Sequence, residues 1–346
     1  MRILCAGDDF MKPELFVEAL QEELGEGHEY VIDHSAWPRE PYGESDEIQE
    51  WVGDEKHLTD LLQGTHILVT HVAPVTAAMI ASARDLKMIG SCRGGPVNIN
   101  IPEATKHGIP VAYVPGRNAR AVAEFTVGML IAGQRHIAES DAALRQGKWS
   151  GHLYAYDLAG TELLGRTIGL IGFGQTGTRV AGLLRSFGMR ILTYDPYVDP
   201  QVALELGVEM VDSLDHLLSE ADIVSIHARL SSETKGMINH DTLAKMKQGA
   251  YLINTARGKI VKMDALIDAL TSGHLSGAAL DVYEEEPPPA DSPLLRLSQV
   301  TITSHLAGSS KEVAQRAARW TAAEVGRFVH GEQLHACANP DVEKGK

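Results

Sequence analysis

The stretch that most constrains this chain is residues 167–195, TIGLIGFGQTGTRVAGLLRSFGMRILTYD. A short apolar run over 168–171 has the length of a buried strand. Gly172, Gly174 and Gly177 follow in G-x-G-x-x-G spacing, then an amphipathic run to Ser186 and a second apolar run ending at Asp195. Each glycine has its own physical task. Gly172 permits the tight strand-to-helix turn, Gly174 lets a pyrophosphate approach the backbone, and Gly177 lets the helix pack close to the strand. Free N–H groups and the positive dipole at the helix start favour phosphate. Asp195 is placed to accept hydrogen bonds from ribose hydroxyls and would repel a 2′-phosphate, which predicts NAD in preference to NADP. In a chain with 33 glycines the spacing alone is a weak signal. The strand before it, the helix after it and the acid beyond make it a dinucleotide site.

With 346 residues the chain is too long for one compact core and suits two domains. Its net charge of −15 argues against nucleic acid or an anionic membrane as a partner. Cys5, Cys92 and Cys337 form no C-x-x-C pair and no disulfide framework, so a reducing cytoplasm is expected. The N-terminus, MRILCAGDDF, starts like a strand without a signal-peptide core, and no apolar run approaches membrane-spanning length. The 15 histidines show no ligand spacing such as H-E-x-x-H, so no metal is expected.

Ahead of the glycine motif, strand-like and helix-like runs alternate. Strands are expected at 2–6, 30–33, 66–70, 87–90 and 111–114, and a helix opened by proline at 13–24. The segment 35–64 reads as acidic and irregular at first, then helical over 48–62. A long, largely apolar helix is expected over 118–145, carrying more apolar surface than one face needs, which suggests burial between domains or subunits. A turn-rich connection spans 147–165. Strands resume near 191–195, 208–211, 222–227, 250–255, 277–282 and 300–303, and an amphipathic helix over 311–330 is expected to return to the first domain. The tail 331–346 closes the chain. This alternation describes parallel α/β sheets.

In such sheets ligands bind beyond the carboxyl ends of the strands. Arg257, Asp281, Glu286 and His305 fall at such ends. An arginine holds a carboxylate bidentately and polarises an adjacent carbonyl. A histidine titrates near neutrality and moves a proton to or from a hydroxyl. A nearby glutamate orients the imidazole and stabilises its charged form. Singly, each has a plain reading: a surface salt bridge for Arg257, a solvated member of an acidic run for Glu286, a strand cap for His305.

From about Leu86 onward the ordered segments VPGRNARAVAEFTVGML, GTELLGRTIGLIGFGQTG, TYDPY, ADIVSIHARLSSET, LINTARG, ALDVYEEEP and TSHLAG make the chain resemble the D-isomer-specific 2-hydroxyacid dehydrogenases. The resemblance implies two Rossmann-like, doubly wound parallel-sheet domains. An NAD-binding domain over 118–308 would be inserted into a flavodoxin-like substrate domain made of 1–117 and 309–346. Segments near Asn118 and 308–311 would form the hinge, and closure would bring the 92–98 loop onto the substrate. It implies that Arg257 binds the substrate carboxylate, that His305 donates or accepts the proton, and that Glu286, immediately before Pro287, is its partner. Around the cofactor it places the backbone of Gln175 and Thr176 at the pyrophosphate and Asp195 at the ribose. His227, Ala228 and Arg229 would lie alongside, Thr255, Ala256 and Arg257 would flank the nicotinamide, Asp281 would meet the carboxamide, and His305 and Gly308 would complete the site. The implied partners are a small 2-hydroxy or 2-oxo acid and a second copy of the chain, with Trp149 in the dimer interface.

Two departures stand out. SCRGGPVNIN replaces the longer Gly-rich loop usual in the family, so Arg93, Gly94 and Gly95, with Asn98, are candidate substrate contacts; for Arg93 a plain loop-surface role is the other reading. Arg229 stands where proline is frequent and would soften the preference for NAD. Other functions on this scaffold are a different hydride transfer, with Glu286 speaking against formate, and an NAD(H)-sensing corepressor-like protein.

Overall fold

The computed structural model describes residues 1–37 and 42–344; residues 38–41 of the irregular acidic stretch and 345–346 of the tail lie outside it. The chain divides into two compact units, Met1–Asn118 with Ser309–Lys346, and Ala119–Gly308.

The first unit carries five parallel strands, β1 (Arg2–Asp8), β2 (Glu29–Ser35), β3 (Ile67–Thr70), β4 (Met88–Ser91) and β5 (Val111–Ala112), in the order β2-β1-β3-β4-β5. That is the flavodoxin-like order. Strand β1 pairs with β2 and β3 on its two sides, with Ile3 opposite Tyr30 and Ile67. The period of a strand sends alternate side chains to opposite faces. Ile3 and Cys5 therefore join one apolar cluster with Phe16 and Leu20, while Leu4 and Ala6 join another with Leu58 and Ile80. The helix Lys311–His330 packs on the first face. Its Ala314, Ala317, Ala318, Ala322 and Val325 lie in the cluster, and a side chain on Gly90 of β4 would meet Thr321.

The second unit carries seven parallel strands: β6 (Thr167–Ile171), β7 (Arg190–Tyr194), β8 (Glu209–Met210), β9 (Ile223–Ile226), β10 (Ala250–Asn254), β11 (Leu275–Leu280) and β12 (Val300–Ile302). Their order, β12-β11-β10-β9-β6-β7-β8, is the Rossmann order with one further strand. The chain reverses direction between β6 and β9, so the carboxyl ends of those two strands flank the switch point where such sheets bind ligands. Apolar clusters cover both faces, with Leu252 in one and Tyr251 and Ile253 in the other. Burial on both sides explains why these strands read as continuous apolar runs.

Two expected helices are corrected. No helix spans 48–62; the helix is Glu55–Leu61. Gly53 adopts φ 123° and Asp54 caps the helix by accepting from His57 N, so the chain turns before the helix begins. Ile48 is buried from a loop instead. The long helix over 118–145 is two helices, Ala119–Gln134 and Ile137–Arg145, separated by His136 in the left-handed region at φ 53°. The break is set from outside the helix: Thr161 N donates to the Gln134 carbonyl, and Thr161 Oγ1 and Arg166 Nη1 reach Gln134 Oε1 at 2.5 and 3.1 Å. The surplus apolar surface of the first helix also goes into its own unit, where Ala123, Met129 and Leu130 pack with Ile168, Leu170 and Tyr251.

Candidate functional site

The turn after β6 is built as its glycines require. Gly172 has φ 95°, and a Cβ there would stand 2.7 Å from Ala228 N. A Cβ on Gly177 would run into the Gly172 carbonyl. Gly174 faces open space, with nothing within 4 Å of the position a Cβ would take. Among the described residues no acceptor meets the N–H groups of Gly174, Gln175 and Thr176, which precede the helix Gly177–Arg185. Asp195, just past β7, braces this turn: Phe173 N donates to its Oδ2 at 2.8 Å and Tyr197 N to its Oδ1 at 3.0 Å.

Across the switch point, beyond β9, His227 Nε2 lies 2.9 Å from Ser225 Oγ. Its Nδ1 is shut off from solvent and meets no partner among the described residues. Burial pushes this imidazole down to about 4, so it is neutral at pH 7. Arg229 is exposed, and its carbonyl accepts from Thr234 Oγ1 at 2.6 Å.

The acid–base candidates come together in the same unit. Asn254, the buried last residue of β10, folds the chain back on itself: its Oδ1 accepts from Ala256 N and its Nδ2 donates to the Arg257 carbonyl, both at 3.0 Å. Gly258 then passes so close beneath Tyr283 that a side chain would strike the Tyr283 carbonyl. Thr255 is tied to Thr126 through their hydroxyls at 2.7 Å. This leaves Arg257 exposed, near enough for its charge to act on both Glu286 and His305.

Asp281, fully buried after β11, organises the following loop. Its carboxylate accepts from Thr303 Oγ1 at 2.6 Å, Leu306 N at 2.7 Å and Ala307 N at 2.8 Å, and its carbonyl accepts from His305 N at 2.9 Å. These bonds hold His305 in the left-handed region at φ 54°. Gly308 follows as the last residue of the unit. Of three consecutive glutamates, Glu284 binds Lys262 at 2.8 Å, Glu285 and Glu286 are exposed, and Glu286 is the one that reaches His305. Glu286 accepts from Tyr283 N at 3.0 Å through Oε1 and from His305 Nδ1 at 2.7 Å through Oε2. Partial burial opposes charge on both partners. For His305 the hydrogen bond and charge of Glu286 outweigh it, with Arg257 opposing and Asp281 adding, and the imidazole pKa sits above its ordinary value. For Glu286 the bonds from His305 and Tyr283 and the charge of Arg257 hold the pKa below the usual carboxylate range. With Nδ1 committed to Glu286, the free Nε2 is the nitrogen that can exchange a proton with a bound molecule.

The other candidates lie in the first unit. Arg93 is not a bare surface charge: its Nη2 pairs with Glu50 and its Nη1 reaches the Glu50 carbonyl at 3.4 Å. Gly94 is exposed and Gly95 partly exposed in the same loop. Asn98 is buried and serves the backbone, donating to the Ala73 carbonyl at 2.7 Å. A group absent from the sequence reading also appears here. Asp8 at the end of β1, His71 just beyond β3 and Arg117 beyond β5 form a hydrogen-bonded row, with His71 Nδ1 2.7 Å from Asp8 Oδ2 and His71 Nε2 3.1 Å from Arg117 Nη2. Their positions at strand carboxyl ends were the available signal. Among the described residues no group of three His, Cys, Asp or Glu side chains could hold a metal ion, and no helix is long and apolar enough to cross a membrane.

Residues 127–307 match the family described as D-isomer specific 2-hydroxyacid dehydrogenase, NAD binding domain. The chain belongs to this family. It is 40% identical over 301 residues to a glyoxylate reductase of Thermofilum pendens, covering 86% of this chain and 88% of that one. It is 38% identical over 286 residues to a D-3-phosphoglycerate dehydrogenase of Mycobacterium leprae, covering 83% of this chain and 53% of the longer relative. The apo-structure of D-lactate dehydrogenase from Escherichia coli superposes with a TM-score of 0.76 at 26% identity, over 98% of this chain and all of that one. The protein is therefore an NAD-dependent 2-hydroxyacid dehydrogenase. The residues present fit the cofactor: this dehydrogenase offers the open side of Gly174, the unmet N–H groups of Gly174, Gln175 and Thr176, and the orphaned Nδ1 of His227.

Proposed function

We propose that the dehydrogenase interconverts a D-2-hydroxy acid and its 2-oxo acid, with Arg257 anchoring the substrate carboxylate and His305, held by Glu286, moving the proton. The observation that carries this reading is the 2.7 Å bond between His305 Nδ1 and Glu286 Oε2, which leaves Nε2 free while Arg257 acts electrostatically on both partners.

The nicotinamide supplies or accepts the hydride when bound. The turn 172–177 would hold its pyrophosphate, Asp195 the adenosine ribose, and His227, Ala228 and Arg229 the adjacent length of the dinucleotide. Thr255, Ala256 and Asp281 would border the nicotinamide end, Asp281 chiefly by fixing the loop that presents His305, since its own carboxylate is taken up by Thr303, Leu306 and Ala307. In reduction, Arg257 holds the acid's carboxylate and draws electron density from the adjacent carbonyl. His305 in its charged form gives the Nε2 proton to the 2-oxo oxygen, and Glu286 stabilises that charged form beforehand. In oxidation neutral His305 takes the hydroxyl proton. The raised pKa of His305 extends to higher pH the range in which the imidazole carries the proton that reduction requires.

The enzyme acts as a homodimer in this reading. Trp149, Tyr154, Tyr156 and Leu164 are 84, 94, 95 and 74% exposed within a short segment, a density of bare apolar surface typical of an interface.

The test is oxidation of NADH, with NADPH beside it, against glyoxylate, hydroxypyruvate, phosphohydroxypyruvate and pyruvate. Turnover of at least one acid with NADH preferred is expected. Tight NADH binding without turnover of any 2-oxo acid overturns the reading in favour of a binding protein.

A further inference from the structure

His305 and Glu286 stand on different loops of the second unit, and the sheet does little to join them. Pairing of β11 with β12 ends at Leu280 and Ile302, with one more bond from Thr303 N to the Leu280 carbonyl at 3.0 Å. The bonds of Asp281 run to Thr303, His305, Leu306 and Ala307, all on the loop that carries His305. Both His305 and Glu286 are open to solvent. An exposed ion pair gains little unless its geometry is fixed beforehand, so the 2.7 Å bond between them calls for support from beneath.

Tyr283 is placed to give it. Its backbone N–H donates to Glu286 Oε1 at 3.0 Å, and its hydroxyl donates to the carbonyl of Thr303, two residues before His305, at 2.7 Å. Glu286 Oε2 meets His305, so the contacts close on themselves, from Tyr283 through Glu286, His305 and Thr303 back to Tyr283. The phenol is buried in one apolar cluster with Leu280 and Leu294. Its backbone has no room to slide. Gly258, next to Arg257, lies against the Tyr283 carbonyl, and the adjacent Glu284 is tied to Lys262 Nζ at 2.8 Å and Met263 N at 3.1 Å. Burial, reinforced by the charge of Asp281, pushes the Tyr283 hydroxyl up to about 12, so it remains a donor throughout the range in which an imidazole titrates.

We propose that Tyr283 is a positioning residue for the proton relay. It grips the Glu286 carboxylate with its N–H and the His305 loop with its hydroxyl, and so brings the two side chains to hydrogen-bond distance before any substrate is bound. This role rests on those given to His305 and Glu286 above, and adds to them a buried residue that exchanges no proton itself.

The experiment uses the full chain as wild type, Tyr283→Phe, Glu286→Gln and the double variant. Phenylalanine keeps the buried ring and removes only the hydroxyl; Tyr283→Met, an adaptable filler without a hydroxyl, carries the test if Tyr283→Phe does not fold. The titration of His305 is followed by NMR of histidine-labelled protein without substrate or cofactor, its signal identified as the one missing from His305→Gln. In the same proteins kcat, KM and the pH profile are measured for NADH-dependent reduction of glyoxylate or hydroxypyruvate, whichever is turned over faster. The charged groups acting on His305 are Glu286, Arg257 and Asp281, and Tyr283→Phe removes none of them. In Tyr283→Phe the His305 pKa is expected to move down toward 6.5. There kcat should fall about tenfold with KM changed by less than about twofold, and the alkaline limb should move with the titration. Added to Glu286→Gln, the same exchange should shift the titration no further, because the pair it aligns is already gone. A His305 titration unmoved by Tyr283→Phe, or moved equally with and without Glu286, overturns the proposal whatever happens to activity. A titration that moves while kcat and its limb stay unchanged, or while no 2-oxo acid is turned over, supports the positioning and removes the proton-transfer role of His305 instead.

Discussion

Two imidazole–carboxylate pairs, one in each unit, share the same geometry and differ in almost everything that follows from it. His305–Glu286 and His71–Asp8 are each joined through Nδ1 at 2.7 Å. The side chains of the first pair are 41 and 36% exposed, those of the second 4 and 1%. The decisive difference is at the other nitrogen. Arg117 donates to His71 Nε2 and holds the ring neutral, whereas among the described residues nothing meets His305 Nε2. The glutamate therefore raises the pKa of His305, while burial and a cation depress that of His71 despite an equally short bond to a carboxylate. A histidine beside an acid is not by itself a proton-transfer device. Solvent access and the partner of the second nitrogen decide it.

The comparison breaks most sharply at His305. His305→Ala should lower kcat/KM for 2-oxo acid reduction by about 1000-fold, the range of general acid–base catalysis, with NADH affinity by fluorescence titration little changed. A marked loss of NADH binding would assign the residue to the cofactor instead.

Next comes the dependence of stability on pH, where the two histidines respond with opposite sign. His71 has a folded pKa of about 4 against 6.5 in the unfolded chain, so protonation favours unfolding as pH falls through that window. The loss should be roughly 3 kcal/mol by pH 4. His305, with its pKa raised, contributes stability that is complete below 6.5 and fades as pH rises through its folded value. Urea unfolding of wild type and His71→Gln at pH 7 and pH 4 isolates the first effect, since His227 is common to both. Equal acid sensitivity in the two proteins would contradict a neutral His71.

The smallest effect sharpens the contrast. Glu286→Gln should lower kcat/KM about tenfold, the worth of one charge-assisted hydrogen bond, and shift the alkaline limb of the reduction profile to lower pH as His305 loses its stabilising charge. An unmoved limb would mean that another group sets the pKa of His305.

These pairs also mark what was legible in the sequence. The glycine turn announced itself because backbone sterics admit few other residues there, and Arg257, Glu286 and His305 because each follows an apolar strand in one sheet. The row of Asp8, His71 and Arg117 did not, since its members approach each other only once β1, β3 and β5 are ordered in the sheet. Apolar periodicity locates a strand but does not name the partners at its end. The same limit explains the helices. Ile48, Leu58 and Leu62 suit a helical face, yet a left-handed Gly53 and the Asp54 cap start the helix later. Nothing local ends the helix at Gln134; Thr161 and Arg166 do, from beyond the next helix.

The two segments that build the first unit have a consequence for how the protein is made. The helix Lys311–His330 supplies much of one face of that unit's core, against Ile3, Phe16 and Leu20 near the start of the chain. During synthesis those early residues leave the ribosome without their cover. The second unit, contiguous in sequence, has everything its sheet needs first. The usual order of completion along the chain is thereby reversed: the first unit begins to emerge before the second yet closes after it, because its apolar face waits until the helix Lys311–His330 has been made.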